Sequence, residues 1–251
     1  LKDYSNSRYY FGKLIGQHTK YESAANYYYA YTEYTQKHYE KALAGFLKVK
    51  DDPEYKDFVP YYIVQIYYQQ KKYDELMPLA EDLLKKNPNN ENNLEIYRIL
   101  GECYYQRKDY KKTIEYLSKY QAKAPKVVRN EMYLLGISYY NEGDCDNAVK
   151  SLSKTTTEDD EMSQNAFLHL GICYLKMNEK AQARMAFERA SLMDYDKTIQ
   201  EEALYNYALA TYELSFSPFN ESVKAFEKFL EKYPDSKRTD EVYNYLVSVY
   251  L

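Results

Sequence analysis

Apolar residues recur along this chain at helical spacing. Tyr97, Leu100, Gly101 and Tyr104 fall at i, i+3, i+4 and i+7, one stripe of a helix. The stripe returns as Leu135-Gly136 with Tyr139 and as Leu170-Gly171 with Tyr174, each step 35 residues long. Twelve residues after each glycine stands Thr113, Ala148 or Ala183, and four further on Leu117, Leu152 or Phe187. Each period therefore predicts two amphipathic helices. Asp109-Tyr110 and Lys72-Tyr73 open second helices, and Pro88, Pro125 and Pro234 stop them, because proline lacks the N–H and clashes with the preceding turn. The small residue after the Leu is expected to let the two helices approach closely, with room for nothing larger. One helix pair cannot bury its own apolar face, so the pairs must stack.

The pattern resembles the tetratricopeptide repeat, a 34-residue helix–turn–helix unit. In that family a large residue stands at position 4, Leu-Gly at 7 and 8, Tyr at 11, Ala at 20, an aromatic or Leu at 24, Ala at 27 and Pro at 32. The unit Leu94–Lys126 matches with Tyr97, Leu100, Gly101, Tyr104, Thr113, Leu117, Tyr120 and Pro125. The unit from Gln164 matches with Phe167, Leu170, Gly171, Tyr174, Ala183, Phe187 and Ala190, but has Tyr195 where proline is usual. Units from Ser23 (Ala30, Ala42, Phe46), Asp57 (ending in Pro88) and Glu201 (Ala208, Ser222, Phe226, Pro234) follow the same register. The turn of the last, around Leu214–Phe219, is about two residues longer than usual. The resemblance implies an all-α, right-handed superhelical solenoid of antiparallel helix pairs, a single array over residues 1–251. Its units are about 1–22 (half), 23–56, 57–93, 94–128, 129–163, 164–200, 201–239 and 240–251 (half): six full repeats with a half-repeat at each end. Tyr4–Ile15 fits only a second helix and Asp240–Leu251 only a first. The chain is then an excerpt of a longer array, or the half-units act as caps; open repeat ends would also allow oligomers.

Composition sharpens the picture in one respect. The chain has 34 tyrosines and no tryptophan, with 7 glycines and 7 prolines. A hydrophobic share of 45% excludes a disordered chain, and no apolar run has the length of a membrane span, so no direct membrane insertion is expected. The net charge of −4 gives no reason to expect nucleic acid. Cys103, Cys145 and Cys173, odd in number and widely spaced, read as buried small apolar residues. In the repeat register fourteen tyrosines fall at packing positions: Tyr4, Tyr29, Tyr39, Tyr67, Tyr73, Tyr97, Tyr104, Tyr110, Tyr120, Tyr139, Tyr174, Tyr207, Tyr243 and Tyr250. The resemblance implies that positions 5, 9 and 12 of each first helix line a concave groove. Those positions hold Tyr27, Tyr31, Tyr34, Tyr61, Tyr68, Tyr105, Tyr133, Tyr140, Tyr205 and Tyr212, with Gln65, Arg98 and Glu102 among the polar remainder. The groove tyrosines either form a recognition surface or mainly pack on each other.

Catalytic chemistry finds no support. His18, His38 and His169 have no metal-ligand spacing, no phosphate-binding glycine loop or nucleophile elbow occurs, and no cofactor is implied. The acidic run Glu158–Glu161 reads as a solvated loop at a helix start. Arg98 and Lys176 stand alone, without the Lys/Asn/Arg set by which some members of the family grip a carboxyl terminus. Helical repeats also bind RNA, but Asp+Glu outnumber Lys+Arg, 38 to 34. The expectation is a non-catalytic scaffold holding an extended peptide or helix of a protein partner in the groove. Glycan or peptidoglycan stacking on tyrosine is the alternative, as is a regulatory segment of a larger protein. The stretch from Phe226 to Ser236 with Glu241-Val-Tyr is similar to YbgF-type Tol–Pal-associated and BamD-type outer-membrane-assembly proteins. That resemblance implies a bacterial cell-envelope assembly, periplasmic in location.

Overall fold

The computed structural model describes residues 3–126, 128–214 and 220–250. Residues 215–219, which carry the expected lengthening of the last turn, lie outside the described residues. All regular structure among the described residues is helical. Fourteen helices are described: α1 (Tyr4–Leu14), α2 (Glu22–Thr35), α3 (Tyr39–Val49), α4 (Val59–Gln69), α5 (Tyr73–Lys86), α6 (Asn93–Gln106), α7 (Tyr110–Lys123), α8 (Arg129–Asn141), α9 (Cys145–Leu152), α10 (Glu161–Lys176), α11 (Lys180–Leu192), α12 (Lys197–Leu214), α13 (Asn220–Lys232) and α14 (Thr239–Tyr250). The chain divides into two compact units, residues 1–103 and 104–251. In the first, α1 lies on α2, α2 pairs with α3, α3 lies on α4 and α4 pairs with α5. In the second, each helix from α7 to α14 packs on the next.

One turn recurs between the helices of a pair. Lys37, Lys71, Lys108, Gly143 and Asn178 all have positive φ, between 57° and 81°. The residue after each donates its N–H back across the turn, as from Asp109 to the Tyr104 carbonyl at 3.0 Å and from Glu179 to the Tyr174 carbonyl at 2.8 Å. This is the left-handed helix end that satisfies carbonyls left open by the last turn. Aspartates cap the following helices: Asp109 accepts from Lys112 N and Asp144 from Asn147 N, both at 3.1 Å.

The close approach expected at the Leu-Gly motif is present. A Cβ on Gly171 would sit 2.5 Å from Phe187 Cε1, and one on Gly136 would sit 2.7 Å from Leu152 Cδ2. The α4/α5 pair corrects the expectation that nothing larger fits. Val64 occupies that position and is fully buried. Ala80 stands where the other pairs carry Phe46, Leu152 or Phe187, so the bulk has moved from one helix to the other.

The tyrosines expected in the packing are not all buried. Tyr104 and Tyr120 are buried, and Tyr104 stacks on Tyr116 with centroids 5.6 Å apart. Tyr243 and Tyr250 are a correction: they are 54% and 69% exposed. They sit on the face of α14 that a second helix covers in the preceding pairs, and no described helix lies there.

Candidate binding face of the first helices

In residues 1–103 the expected site residues fall into an aromatic group around Tyr27, Tyr31 and Tyr34 and a polar group around Tyr68, Arg98 and Glu102, with Tyr61 apart. Tyr27 stacks on Tyr55 at 4.7 Å and meets Phe58 edge-on at 5.4 Å. Burial, reinforced by Tyr62 and Tyr31, pushes its hydroxyl well above the ordinary tyrosine pKa. Tyr31 meets Tyr62 edge-on at 5.9 Å. Tyr34 Oη donates to Gln65 Oε1, and Tyr68 Oη donates to Glu102 Oε2. Burial, then the bond to Glu102, pushes Tyr68 up to about 12, so the phenol remains a donor across the neutral range. Arg98 bonds Glu102 through Nη1 and Glu95 through Nη2 at 2.5 Å and Nε at 3.0 Å. Its guanidinium lies 5.4 Å from the Tyr68 ring centre. Two carboxylates thus neutralise Arg98. Tyr61 does not line an open face. It is 3% exposed and donates to Asn93 Oδ1 at 3.1 Å.

In residues 104–251 the expected residues are spread over more helices. Tyr105 is half-buried, edge-on to Tyr110 at 6.1 Å. Tyr133 donates to Asn165 Oδ1 at 2.8 Å, and burial raises its pKa strongly. Tyr140 meets the His169 ring edge-on at 4.5 Å, and Lys176 Nζ lies 5.1 Å from the Tyr140 ring centre. His169 is held below its ordinary pKa by burial, which favours the neutral ring. Tyr212 meets Tyr245 edge-on at 5.5 Å. Tyr205, like Tyr61, is buried, 7% exposed between Phe229 and Arg238.

The phenols therefore divide by what their hydroxyls do. Tyr34, Tyr61, Tyr68 and Tyr133 donate to a residue about one repeat further on and tie successive pairs together. Tyr31, Tyr105, Tyr140 and Tyr212 are partly exposed, and no hydroxyl hydrogen bond holds them among the described residues. Sequence reasoning missed Tyr62, which stacks on Phe46 at 5.2 Å beside Tyr31 and Tyr34. It also missed the acceptors Asn93 and Asn165. Both stand 32 residues after their tyrosine, a spacing that a search for polar partners one repeat away would have found.

The acidic run is more than a solvated loop. Arg129 grips Asp160 bidentately at 2.6 and 2.7 Å and also bonds the Thr155 carbonyl at 2.7 Å. Arg129 holds the Asp160 carboxyl down to about 2. Asp160 also caps α10, accepting from Ser163 N at 2.9 Å. A cleft of about 580 Å3 lies in residues 1–103 between α3, α4 and α5, floored by Ile63, Tyr67 and Leu83 under a rim of paired charges. No group of three or more His, Cys, Asp or Glu among the described residues could hold a metal ion. No described helix is long and apolar enough to cross a membrane.

Comparison with known proteins agrees with the helical-repeat fold. Residues 133–200 and 202–236 match tetratricopeptide-repeat models. Residues 69–129 match the model of anaphase-promoting complex, cyclosome, subunit 3. The fold is similar to the MamA D159K mutant (20% identity, 68% of this chain and 97% of that one, TM-score 0.56). It is also similar to YrrB, described as a TPR protein with an unusual peptide-binding site (16% identity, 76% and 93%, TM-score 0.58). A third similar structure is Naa15/Naa10 bound to HypK-THB (18% identity, 99% and 37%, TM-score 0.57). Comparison with curated protein sequences gives no significant match. The fold is an all-α helical repeat of the tetratricopeptide type. The two stretches 133–200 and 202–236 are tetratricopeptide repeats.

Proposed function

We propose that this chain is a non-catalytic protein-interaction scaffold whose first helices take a peptide segment of a partner through partly exposed tyrosines. The observation that carries the reading is the set Tyr105, Tyr140 and Tyr212 within residues 104–251, with Tyr31 of the same character within residues 1–103. Each offers a large, rigid ring with little rotamer freedom to lose and a hydroxyl that no neighbouring side chain engages. The structural likeness to YrrB, a protein described as having a peptide-binding site, supports a peptide as the ligand class. Arg98, neutralised by Glu95 and Glu102, is not a carboxylate receptor in this reading.

The test is affinity capture from the native organism with wild type against a Tyr31→Ala, Tyr105→Ala, Tyr140→Ala, Tyr212→Ala variant. Specific protein prey should fall at unchanged helicity, and undiminished prey refutes the proposal. Capture of peptidoglycan fragments lost with the same substitutions would replace peptide by glycan. A setting in a bacterial cell-envelope assembly rests on the C-terminal resemblance alone. Fractionation tests it, and recovery of the protein only with the cytosol would refute it.

A further inference from the structure

We propose a second binding site, within residues 104–251 and independent of the first-helix tyrosines. It is the groove over α10 between α11 and the turn that follows α9, and it takes an extended segment of a protein partner that carries an apolar residue and, two residues on, an acidic one. A cleft of about 410 Å3 lies there. Phe167, Leu170 and Tyr174 of α10 form its floor, and Met185, Ala186 and Arg189 of α11 form one wall. Met185 is apolar yet 61% exposed, while Leu170 and Ala186 are buried at the base. Such a surface gains by being covered.

Arg189 supplies the chemistry. It is the one charged side chain lining this cleft, and no ion pair or hydrogen bond neutralises it among the described residues. Its neighbours differ: Arg184 faces Glu221 at 3.4 Å and Arg129 is held by Asp160. A guanidinium that no ion pair or hydrogen bond holds, beside an apolar floor, is open to a carboxylate. A second cleft of about 410 Å3 shares Thr156, Phe167 and Arg189 with the first and continues toward Leu192. The groove therefore passes Arg189 on both sides, which suits a continuing chain rather than a chain terminus. Glu158 and Asp159 line only the second cleft. They repel a further acid there and direct the apolar residue toward Met185.

The spacing follows from helix geometry. Met185 and Arg189 are one turn apart, about 6 Å along the axis. An extended chain advances about 3.3 Å per residue with side chains on alternate faces. Residues i and i+2 of the segment then meet the apolar floor and Arg189 together.

The full chain, labelled with 15N, is titrated with acetyl-Leu-Ser-Glu-amide and with acetyl-Leu-Ser-Gln-amide. Amides around Phe167, Met185 and Arg189 should shift, with the Glu peptide about threefold tighter or more, the scale of an exposed ion pair. Arg189→Gln should equalise the two peptides, and the surface substitution Met185→Asp should abolish both. Tyr31→Ala and Tyr212→Ala, which pack on other clusters, should leave both unchanged. Equal affinity of the two peptides for wild type overturns the proposal. So do shifts centred on Tyr31 or Tyr140, or no shift up to about 10 mM.

Discussion

Tyr68→Phe separates the tyrosines that hold the fold from those free to bind. The substitution deletes one hydroxyl and keeps the ring, including its place 5.4 Å from the Arg98 guanidinium. What is lost is the bond to Glu102. A hydrogen bond to a charged acceptor contributes about 1.5–3 kcal/mol. Glu102 keeps Arg98 as a donor, so no buried carboxylate is orphaned and the low end applies, about 1.5 kcal/mol. Tyr34→Phe loses a neutral bond to Gln65 and should cost about 1 kcal/mol. Tyr105→Phe and Tyr140→Phe lose no described bond and should stay within about 0.5 kcal/mol of wild type. Urea unfolding followed by far-ultraviolet circular dichroism reads the difference. With an m-value of about 3 kcal/mol/M, Tyr68→Phe should lower the midpoint by about 0.5 M. If Tyr105→Phe costs as much as Tyr68→Phe, the division between tying and free phenols is wrong.

Gly171→Ala should destabilise by about 1–2 kcal/mol, since overpacking against the buried Phe187 ring, 2.5 Å from the new Cβ, exceeds the gain in helix propensity; a rise in denaturation midpoint would contradict this. Lys108→Gly should act in the opposite direction, raising stability by about 0.5–1 kcal/mol by relieving a side chain held at φ 58°, and loss of stability would show that the turn is not strained. Asp160→Asn keeps the cap on α10 but discards the Arg129 pair. Because the folded pKa, about 2, lies below the unfolded value of 3.8, the pair stabilises above about pH 4 and fades as pH falls through 2. The variant should cost about 1 kcal/mol at neutral pH after solvent screening of this partly exposed pair, and the cost should vanish by about pH 2; a deficit that does not depend on pH would point to the cap instead.

The helices and their pairing were legible because they follow from periodic features. Leu170-Gly171 against Phe187 is a size complement that recurs at one spacing, and Pro125 and Pro234 mark helix ends by the loss of a donor. Val64 departs from the expected small residue, and the compensating change, Ala80, sits on the other helix of the pair, where a scan of one stripe does not look. The positive φ at Lys37, Lys71 and Lys108 left no compositional trace, since lysine ordinarily avoids that region. For the candidate site, the register located the tyrosines but not their surroundings. Burial of Tyr61 and Tyr205 depends on Asn93 and Phe229 from other helices and on Arg238 from the turn before α14.

The same repeat position can thus serve two purposes, and the residue facing it decides which. Tyr34 and Tyr68 stand at position 12 of their units, and position 9 of the next unit presents Gln65 and Glu102, both acceptors. Tyr105 and Tyr140 also stand at position 12, but position 9 of the next unit is Ile137 and Ile172, which can accept nothing. A phenol facing an acceptor becomes part of the joint between pairs, and substituting it changes stability before it changes binding. A phenol facing isoleucine keeps its ring packed and its hydroxyl available, as Tyr105 does against the cluster that contains Ile137. Function in this chain is therefore to be sought where the repeat leaves a polar group unused. On the first helices that is Tyr105 and Tyr140, with Tyr31 and Tyr212 beside them in kind; on the second helices it is Arg189.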